Sequence, residues 1–186
     1  MALGSTVYKV ELAVADIGRS YYADHVLALA RHPSETQERL MVRLLAFALH
    51  AHSELSFGRG ISAEDEPDLW QKDATGLIDL WIEVGLPDER SIRKACGRAR
   101  RVVVLAYGGR KLDMWWQQNR IALARNGNLE VITVTPEETS QLAALAERSM
   151  RLSCTVQEGS VWIGSNQSGC NVEPKHLKRA AKQRDE

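Results

Sequence analysis

Two carboxylates lie four positions apart in residues 78–95, IDLWIEVGLPDERSIRKA, on a predicted strand that leads into a basic helix. Because side chains alternate along a strand, Asp79, Trp81 and Glu83 share one face. The other face carries Ile78, Leu80, Ile82 and Val84 and is expected to be core. Neighbouring carboxylates repel unless a cation lies between them. Mg²⁺ takes oxygen ligands, often from only one or two carboxylates. The pattern therefore suits half of a metal site, and it equally suits an ordinary solvent-facing strand.

A hairpin supplies a further carboxylate. The segment DATG, residues 73–76, carries turn residues between two short strands. A turn centred there places Asp68 across from Glu83 and Lys72 across from Asp79. In the alternative interpretation, Lys72 and Asp79 form a cross-strand ion pair of small value. Asp68 and Glu83 are then solvent-facing residues at the strand ends.

The first long helix, predicted over residues 34–52, contributes Glu38. Glu38 borders the apolar face of this helix, where a carboxylate needs a partner, either a metal ion or an arginine. Glu35 is explained more simply as a negative charge in the first turn. Ser34 is the expected N-cap, with Gln37 three residues later completing a capping box.

The second predicted helix begins after Asp88 and is densely basic. Lys94 can reach back toward the carboxylates and stabilise charge on an attacked phosphate. The other basic side chains are expected to follow a nucleic-acid backbone. The ones assigned to this role are Arg90, Arg93, Arg98 and Arg101. The alternative is a solvated helix face on which Glu89 pairs with Arg93 at i+4.

The order of elements predicts an α/β domain with a mixed sheet flanked by helices. Alternating residues 7–14 begin an N-terminal antiparallel hairpin, and residues 152–164 form a second hairpin about Glu158-Gly159. The length of 186 residues suits one domain. Residues 177–186 are mostly charged and are expected to be a flexible tail.

Composition excludes several classes of protein. The 24 basic and 24 acidic residues cancel, so net charge gives no general argument for nucleic-acid binding. The three cysteines form no CxxC pair, which argues against a zinc ribbon and a disulfide framework and favours a reducing compartment. No signal peptide and no apolar run of about 20 residues is found, so a cytoplasmic protein without a membrane segment is expected.

Four phrases of the sequence closely resemble the bacterial YaeQ family. They are LARHPSETQERLMVRLLAFAL, DEPDLW, IDLWIEVGLPDERSIRKA and WWQQN, and the likeness runs over essentially the whole chain. The resemblance implies a variant of the restriction-endonuclease-like PD-(D/E)XK nuclease fold. It also implies a site that holds Mg²⁺ or Mn²⁺ and hydrolyses phosphodiester bonds in DNA or RNA.

The nuclease pattern can be carried over residue by residue. Its acid on the first helix matches Glu38 or Glu35. Its "PD" matches Pro67-Asp68, and its acid on the next strand matches Glu83, with Asp79 as a competing carboxylate. The implied metal ligands are Glu38, Asp68, Asp79 and Glu83.

The pattern's lysine, two residues after the second acid, is replaced here by Gly85. Lys94 is the natural substitute, and Lys72 is a second one. The missing lysine also supports a different class of function. In that alternative the domain lacks catalysis and binds nucleic acid or a protein partner through its basic helix.

Overall fold

A computed structural model describes residues 4–59 and 66–181 and arranges them in two sheets and four helices. The helices are α1 (Gln37–Leu49), α2 (Glu89–Cys96), α3 (Arg110–Leu123) and α4 (Pro136–Ala144). The strands are β1 (Thr6–Asp16), β2 (Tyr21–Arg31), β3 (Leu55–Phe57), β4 (Leu69–Lys72), β5 (Ile78–Val84), β6 (Ala99–Ala106), β7 (Leu129–Thr133), β8 (Ser149–Gln157), β9 (Ser160–Gly164), β10 (Gly169–Val172) and β11 (Lys175–Lys178). No helix in these ranges is long and apolar enough to span a bilayer.

The five-stranded sheet has the order β10-β9-β8-β1-β2. Both predicted hairpins are confirmed, because β1 pairs with β2 and β8 pairs with β9, both antiparallel. Glu158 and Gly159 have φ of 51° and 82°, the left-handed conformations that a tight hairpin turn requires. The parallel pairing of β1 with β8, which joins the two hairpins into one sheet, was not predicted.

The six-stranded sheet has the order β11-β7-β6-β5-β4-β3. Strands β5, β6 and β7 are parallel, whereas β3, β4 and β5 form an antiparallel meander. The predicted mixed sheet is therefore confirmed. The chain passes from β5 to β6 through α2 and from β6 to β7 through α3, as parallel strands require.

The C-terminal prediction is partly wrong. Residues 175–178 form β11, which pairs antiparallel with β7, and the amide of Ala181 donates to the carbonyl of Gly127. Pairing of backbone groups with an existing sheet edge therefore fixes this segment despite its charges. The remainder of the predicted tail, 182–186, lies outside the described residues.

Helix α1 lies between the two sheets. Every residue from Leu40 to Ala48 is buried, which is typical of a helix enclosed on all sides. Its side chains and those of α4 share one core with the inner faces of both sheets, while α2 and α3 cover the other face of the six-stranded sheet. The predicted bounds and cap were wrong, since Thr36 is the N-cap and accepts from the amide of Arg39. Ser34 instead bonds to His32.

A charged residue, Arg43, lies inside this core with 1% of its surface exposed. Its Nε and Nη2 donate to the two carboxylate oxygens of Glu35 at 2.8 and 2.9 Å, and Nη2 also donates to the carbonyl of Ala30. Glu35 is thus a buried ion-pair partner, not the first-turn charge that the sequence indicated. A buried guanidinium requires such a partner, since leaving it unpaired costs several kcal/mol.

Replacing Glu35 with Gln is expected to destabilise the protein by about 3 kcal/mol, because it leaves the buried guanidinium of Arg43 without a counter-charge. Urea unfolding at neutral pH measures the loss. Glu38→Gln is the matched control on the same helix, with an expected loss of less than about 1 kcal/mol. Equal losses in the two variants would contradict the assigned role of Glu35.

Candidate functional site at the edge of the six-stranded sheet

The candidate site lies where β5 and β6 end, close to the start of α1. Glu83 is the penultimate residue of β5, Asp68 immediately precedes β4, and Tyr107 directly follows β6. Arg39 comes from the first turn of α1. Side chains from four separate elements therefore meet at one sheet edge, which is a common place for ligand sites in α/β proteins.

Arg39 is the centre of the hydrogen bonding at this edge. Its Nη1 donates to Glu35 Oε1 at 3.0 Å, and its Nη2 donates to Asp68 Oδ1 at 2.7 Å and to the carbonyl of Val84 at 3.3 Å. The other oxygen of Asp68 accepts from the amide of Val84 at 2.7 Å. Burial lowers the pKa of Arg39, but Asp68 and Glu35 outweigh that effect and hold it above its ordinary value. The carboxylate of Asp68 is therefore neutralised by an arginine.

Glu83 has a different environment from Asp68. Its Oε1 accepts one hydrogen bond, from Trp81 Nε1 at 2.7 Å. Burial raises the pKa of Glu83 to about 7, the negative charge of Asp68 adds to this, and the Trp81 bond and the charge of Arg39 oppose it. A carboxyl group that exchanges its proton near neutral pH is suited to acid–base chemistry.

Glu83 borders an open cavity of about 650 Å³. The other lining residues are Trp81, Asp88, Arg90, Ser91, Lys94 and Arg98. The guanidinium of Arg98 lies over the ring of Trp81, 5.3 Å from its centroid. Asp88 caps α2 by accepting from the amide of Ser91 at 2.7 Å. The structure thus brings Glu83 and Lys94 to one concave surface with three basic and two acidic side chains, which we call the α2 cavity.

Asp79 does not belong to this site. It shares a strand face with Glu83, as predicted, but the two are four residues apart, about 13 Å at the usual strand rise, with Trp81 between them. Its carboxylate pairs with Arg100 at 3.0 Å and lines a different cavity, of about 750 Å³. The predicted register holds near Asp68, since Leu69 pairs with Ile82.

The predicted pairing of Lys72 with Asp79 is wrong. An irregularity between Gln71 and Lys72 places Lys72 opposite Ile78. The Lys72 ammonium lies over the ring of Trp70, 3.6 Å from its centroid. Lys72 is also absent from the lining of the α2 cavity.

Glu38 is half-buried, and its hydrogen-bond partner is a threonine and not the arginine that the sequence suggested. Its Oε1 accepts a short hydrogen bond from the hydroxyl of Thr139 on α4. Across residues 4–59 and 66–181, no three His, Cys, Asp or Glu side chains group together in a way that could hold a metal ion. The arrangement with Arg39 bound to Asp68 therefore does not fit the divalent metal that the nuclease pattern implies.

Gly85 explains why the expected lysine is missing. Its φ is +115°, a conformation that residues with side chains rarely adopt. The space around it is open, so the restriction comes from the backbone and not from packing. A lysine would be strained there, and the nearest cavity-lining lysine comes from α2 instead.

The four arginines assigned to nucleic acid lie in three different environments. Arg90 and Arg98 line the α2 cavity. Arg93 is exposed and pairs with Glu89, as the alternative interpretation of the helix predicted. Arg101 bonds to Glu130 on β7 and lines the cavity that contains Asp79.

Two residues of the site were missed in the sequence. Arg39 carried a signal, because it follows Glu35 by four positions and precedes Arg43 by four, a spacing that places charges on one helix face. No sequence pattern pointed to Tyr107 apart from its position directly after a buried strand. Burial raises the pKa of Tyr107, while the charge of Arg39 opposes this and those of Glu38, Glu35 and Asp68 add to it.

The fold and the sheet-edge cluster define a mixed α/β protein with two sheets, and comparison with known proteins identifies its family. The family model YaeQ, described as "YaeQ protein", matches residues 1–174. The chain therefore belongs to the YaeQ family, as its sequence phrases indicated.

Relatives and solved structures agree with this assignment. The chain is 46% identical to the YaeQ protein of Salmonella typhi over 173 residues, covering 93% of this chain and 96% of the relative. It is 45% identical to that of Escherichia coli K12, covering 92% and 95%. The crystal structure of the YaeQ protein from Xanthomonas axonopodis pv. citri matches with a TM-score of 0.91 and 48% identity, over 96% of this chain and 99% of that one. The one from Pseudomonas syringae matches with a TM-score of 0.90 and 35% identity, over 94% and 97%.

The raised pKa of Glu83 predicts a pH-dependent loss of stability. The folded state holds this proton more tightly than the unfolded chain, so stability falls as pH rises from about 4.5 through about 7. Glu83→Gln removes the titration. The variant should match the wild type at acidic pH and exceed its unfolding free energy above neutral pH by about 1–3 kcal/mol. Urea unfolding of both proteins across this range measures the difference, and parallel curves would contradict the assignment.

Proposed function

We propose that this chain binds the phosphate backbone of nucleic acid in the α2 cavity and does so without a divalent metal. The observation that carries the proposal is the convergence of Arg90, Lys94 and Arg98 on one concave surface at the end of β5. Because overall charge is balanced, the attraction must come from such a local cluster. Of the two functions that the sequence left open, the geometry supports the binding module better.

The chemistry of the lining suits a phosphate group. A guanidinium presents donors in a planar fork that matches phosphate oxygens, and an ammonium contributes a compact charge with three donors. The ring of Trp81 packs against the guanidinium of Arg98 and limits the directions in which this side chain can point. Lys94 and Arg98 already have partners, so an incoming phosphate would exchange with existing contacts.

A second candidate function is hydrolysis of the bound phosphodiester. It is favoured by Glu83, which lines the cavity and has a pKa of about 7, the range in which a general base or acid is effective at neutral pH. The PD-(D/E)XK pattern adds support, since Asp68, just before β4, lies across from Glu83 on β5. Mg²⁺ or Mn²⁺ would be needed in that pattern, but the pairing of Asp68 with Arg39 does not leave this carboxylate available.

Removing two cavity charges should weaken binding. For Arg90→Gln/Lys94→Gln, affinity for labelled single-stranded or duplex DNA or RNA should fall about tenfold or more, because two charge-assisted contacts are lost. The plot of log affinity against log salt concentration should become shallower by roughly 1.5 units. Fluorescence anisotropy at several salt concentrations, with and without EDTA, measures both quantities, and EDTA should change neither.

Arg93→Gln is the matched control, because Arg93 lies on the same helix outside the α2 cavity. It should bind nearly as the wild type does. Equal weakening by both variants would indicate a diffuse basic helix and not a cavity. No binding of any nucleic acid would leave the protein-partner function as the explanation of the basic surface. Cleavage by the wild type with Mn²⁺, lost in Glu83→Gln, would favour the hydrolytic candidate.

A further inference from the structure

The edge strands of the two sheets differ in how they are protected from pairing with another chain. In the part of the chain that the structure describes, β2, β3, β10 and β11 are the edge strands. Strands β3, β10 and β11 are only three or four residues long. β11 also carries Lys175 and Lys178 and an irregularity in its pairing. Short strands, lysines and irregular pairing are the usual means by which proteins keep sheet edges from associating.

Strand β2 has none of these protecting features. It has 11 residues, contains no proline, glycine or lysine, and pairs with β1 over its whole length without an irregularity. Its outer face includes the apolar side chains of Tyr22 and Val26, which are 64% and 88% exposed. A long, regular and unprotected edge strand is a template for a further strand. β2 therefore has the features of a strand that pairs with another chain.

The direction of the backbone groups shows which residues of β2 offer hydrogen bonds at this edge. The amide of Lys9 in β1 donates to the carbonyl of Arg148, just before β8, so the even-numbered residues of β1 are the ones that bond to β2. In the observed register, these residues face the odd-numbered residues of β2. The even-numbered residues of β2 therefore direct their N–H and C=O groups outward. In agreement with this, the carbonyl of Ala30 accepts from the side chain of Arg43.

A second copy of β2 fits this edge in an antiparallel register centred on Val26. Val26 then faces its own copy, and each outward-directed residue meets another outward-directed residue, so backbone hydrogen bonds can form along the new pair. The exception is the carbonyl of Ala30, which is already bound. Large side chains are opposed to small ones, since Tyr22 faces Ala30 and Leu29 faces Ala23. The strand is therefore complementary to itself in shape.

The charges of β2 are compatible with the same register. Asp24 faces Ala28 of the second copy, and the two Asp24 side chains lie four positions apart, about 13 Å at the usual strand rise. Arg31 faces the ring of Tyr21, an aromatic surface that can accept a cation. The guanidinium of Arg19 also lies near this ring, but a carboxylate of its own chain neutralises it. No like charges are directly opposed, so the pairing carries no electrostatic penalty of that kind.

We propose that β2 pairs antiparallel with β2 of a second copy of this chain and joins the two five-stranded sheets into one continuous sheet. A second copy is the occupant, and not an unrelated peptide, because hydrogen-bonding direction, side-chain size and charge all match about one residue, Val26. The inference concerns the five-stranded sheet and does not depend on phosphate binding in the α2 cavity.

Sedimentation velocity of the full chain measures self-association from about 1 µM to about 200 µM, the range in which small interfaces associate. The wild type should form a dimer in this range. Val26→Lys places two ammonium groups at the centre of the interface and should weaken the dimer about tenfold or more, because directly opposed like charges repel. Val7→Lys is the matched control, since Val7 is exposed on the same sheet face but lies on β1, and it should dimerise as the wild type does.

Cysteine cross-linking tests the register. The Cα atoms of a hydrogen-bonded antiparallel pair lie about 5.5 Å apart, within the range that a disulfide spans. Val26→Cys should therefore give a covalent dimer with oxidised glutathione, whereas Ala28→Cys, which lies four positions from its own copy, should not. The wild type should stay uncross-linked, because Cys154 and Cys170 are buried and burial raises the pKa of the Cys96 thiol to about 11.

Any of three results would overturn the proposal. The first is a wild type that remains monomeric at the highest concentration. The second is equal weakening by Val26→Lys and Val7→Lys, which would place the contact on the sheet face and not at the edge. The third is cross-linking of Ala28→Cys as readily as Val26→Cys. Far-UV circular dichroism checks that each variant is folded, and the cross-linking result decides if Val26→Lys is not. None of these measurements uses nucleic acid, so their failure is separate from that of the proposed function.

Discussion

The series of ion pairs from Arg43 through Glu35 and Arg39 to Asp68 constrains the rest of the structure. Helix α1 is buried between two sheets, so the guanidinium of Arg43 at its centre must be paired inside the protein. These pairs extend from the core to the edge of the six-stranded sheet and also reach the carbonyls of Ala30 and Val84. The position of α1 is thereby tied to β2, to the start of β4 and to the end of β5. The geometry of the candidate site follows from where this helix can satisfy its charges.

The same constraint makes two neighbouring carboxylates chemically different. Asp68 receives the guanidinium of Arg39 and a backbone amide, which together stabilise its ionised form. Glu83 receives only the indole N–H of Trp81 and feels the charge of Asp68, so burial dominates and its pKa rises to about 7. Such a divergence between adjacent acids is typical of functional sites, where one carboxyl group stays ionised and the other exchanges a proton. Here it arises because Arg39 donates a hydrogen bond to Asp68 and acts on Glu83 through its charge alone.

Local patterns predicted most elements and the part of the site that depends on a single hairpin. Strand alternation placed Asp79 and Glu83 on one face, and the turn at residues 73–76 gave the register that opposes Asp68 and Glu83.

Longer-range features could not be predicted from local sequence patterns. The parallel pairing of β1 with β8 joins segments about 140 positions apart, and no local pattern encodes it. The irregularity at Lys72 shifts one residue at the end of a strand, which periodicity cannot reveal. Arg39 was overlooked because its role depends on Asp68, which reaches it only through the fold.

Two neighbouring features at the edge of the six-stranded sheet have one physical consequence. At Gly85 the backbone turns with positive φ and leads into α2, and Lys94 on this helix and Arg98 just after it line the α2 cavity. Beside it, the position between Asp68 and the Val84 carbonyl receives Arg39 from α1. Positive charge at this sheet edge is thus carried by side chains that are anchored on two helices. Guanidinium and ammonium groups held in this way suit the binding of an anion, because they present charged donors to its oxygens. With Lys94 and Arg98 lining the α2 cavity, this is the physical basis of the proposed phosphate binding.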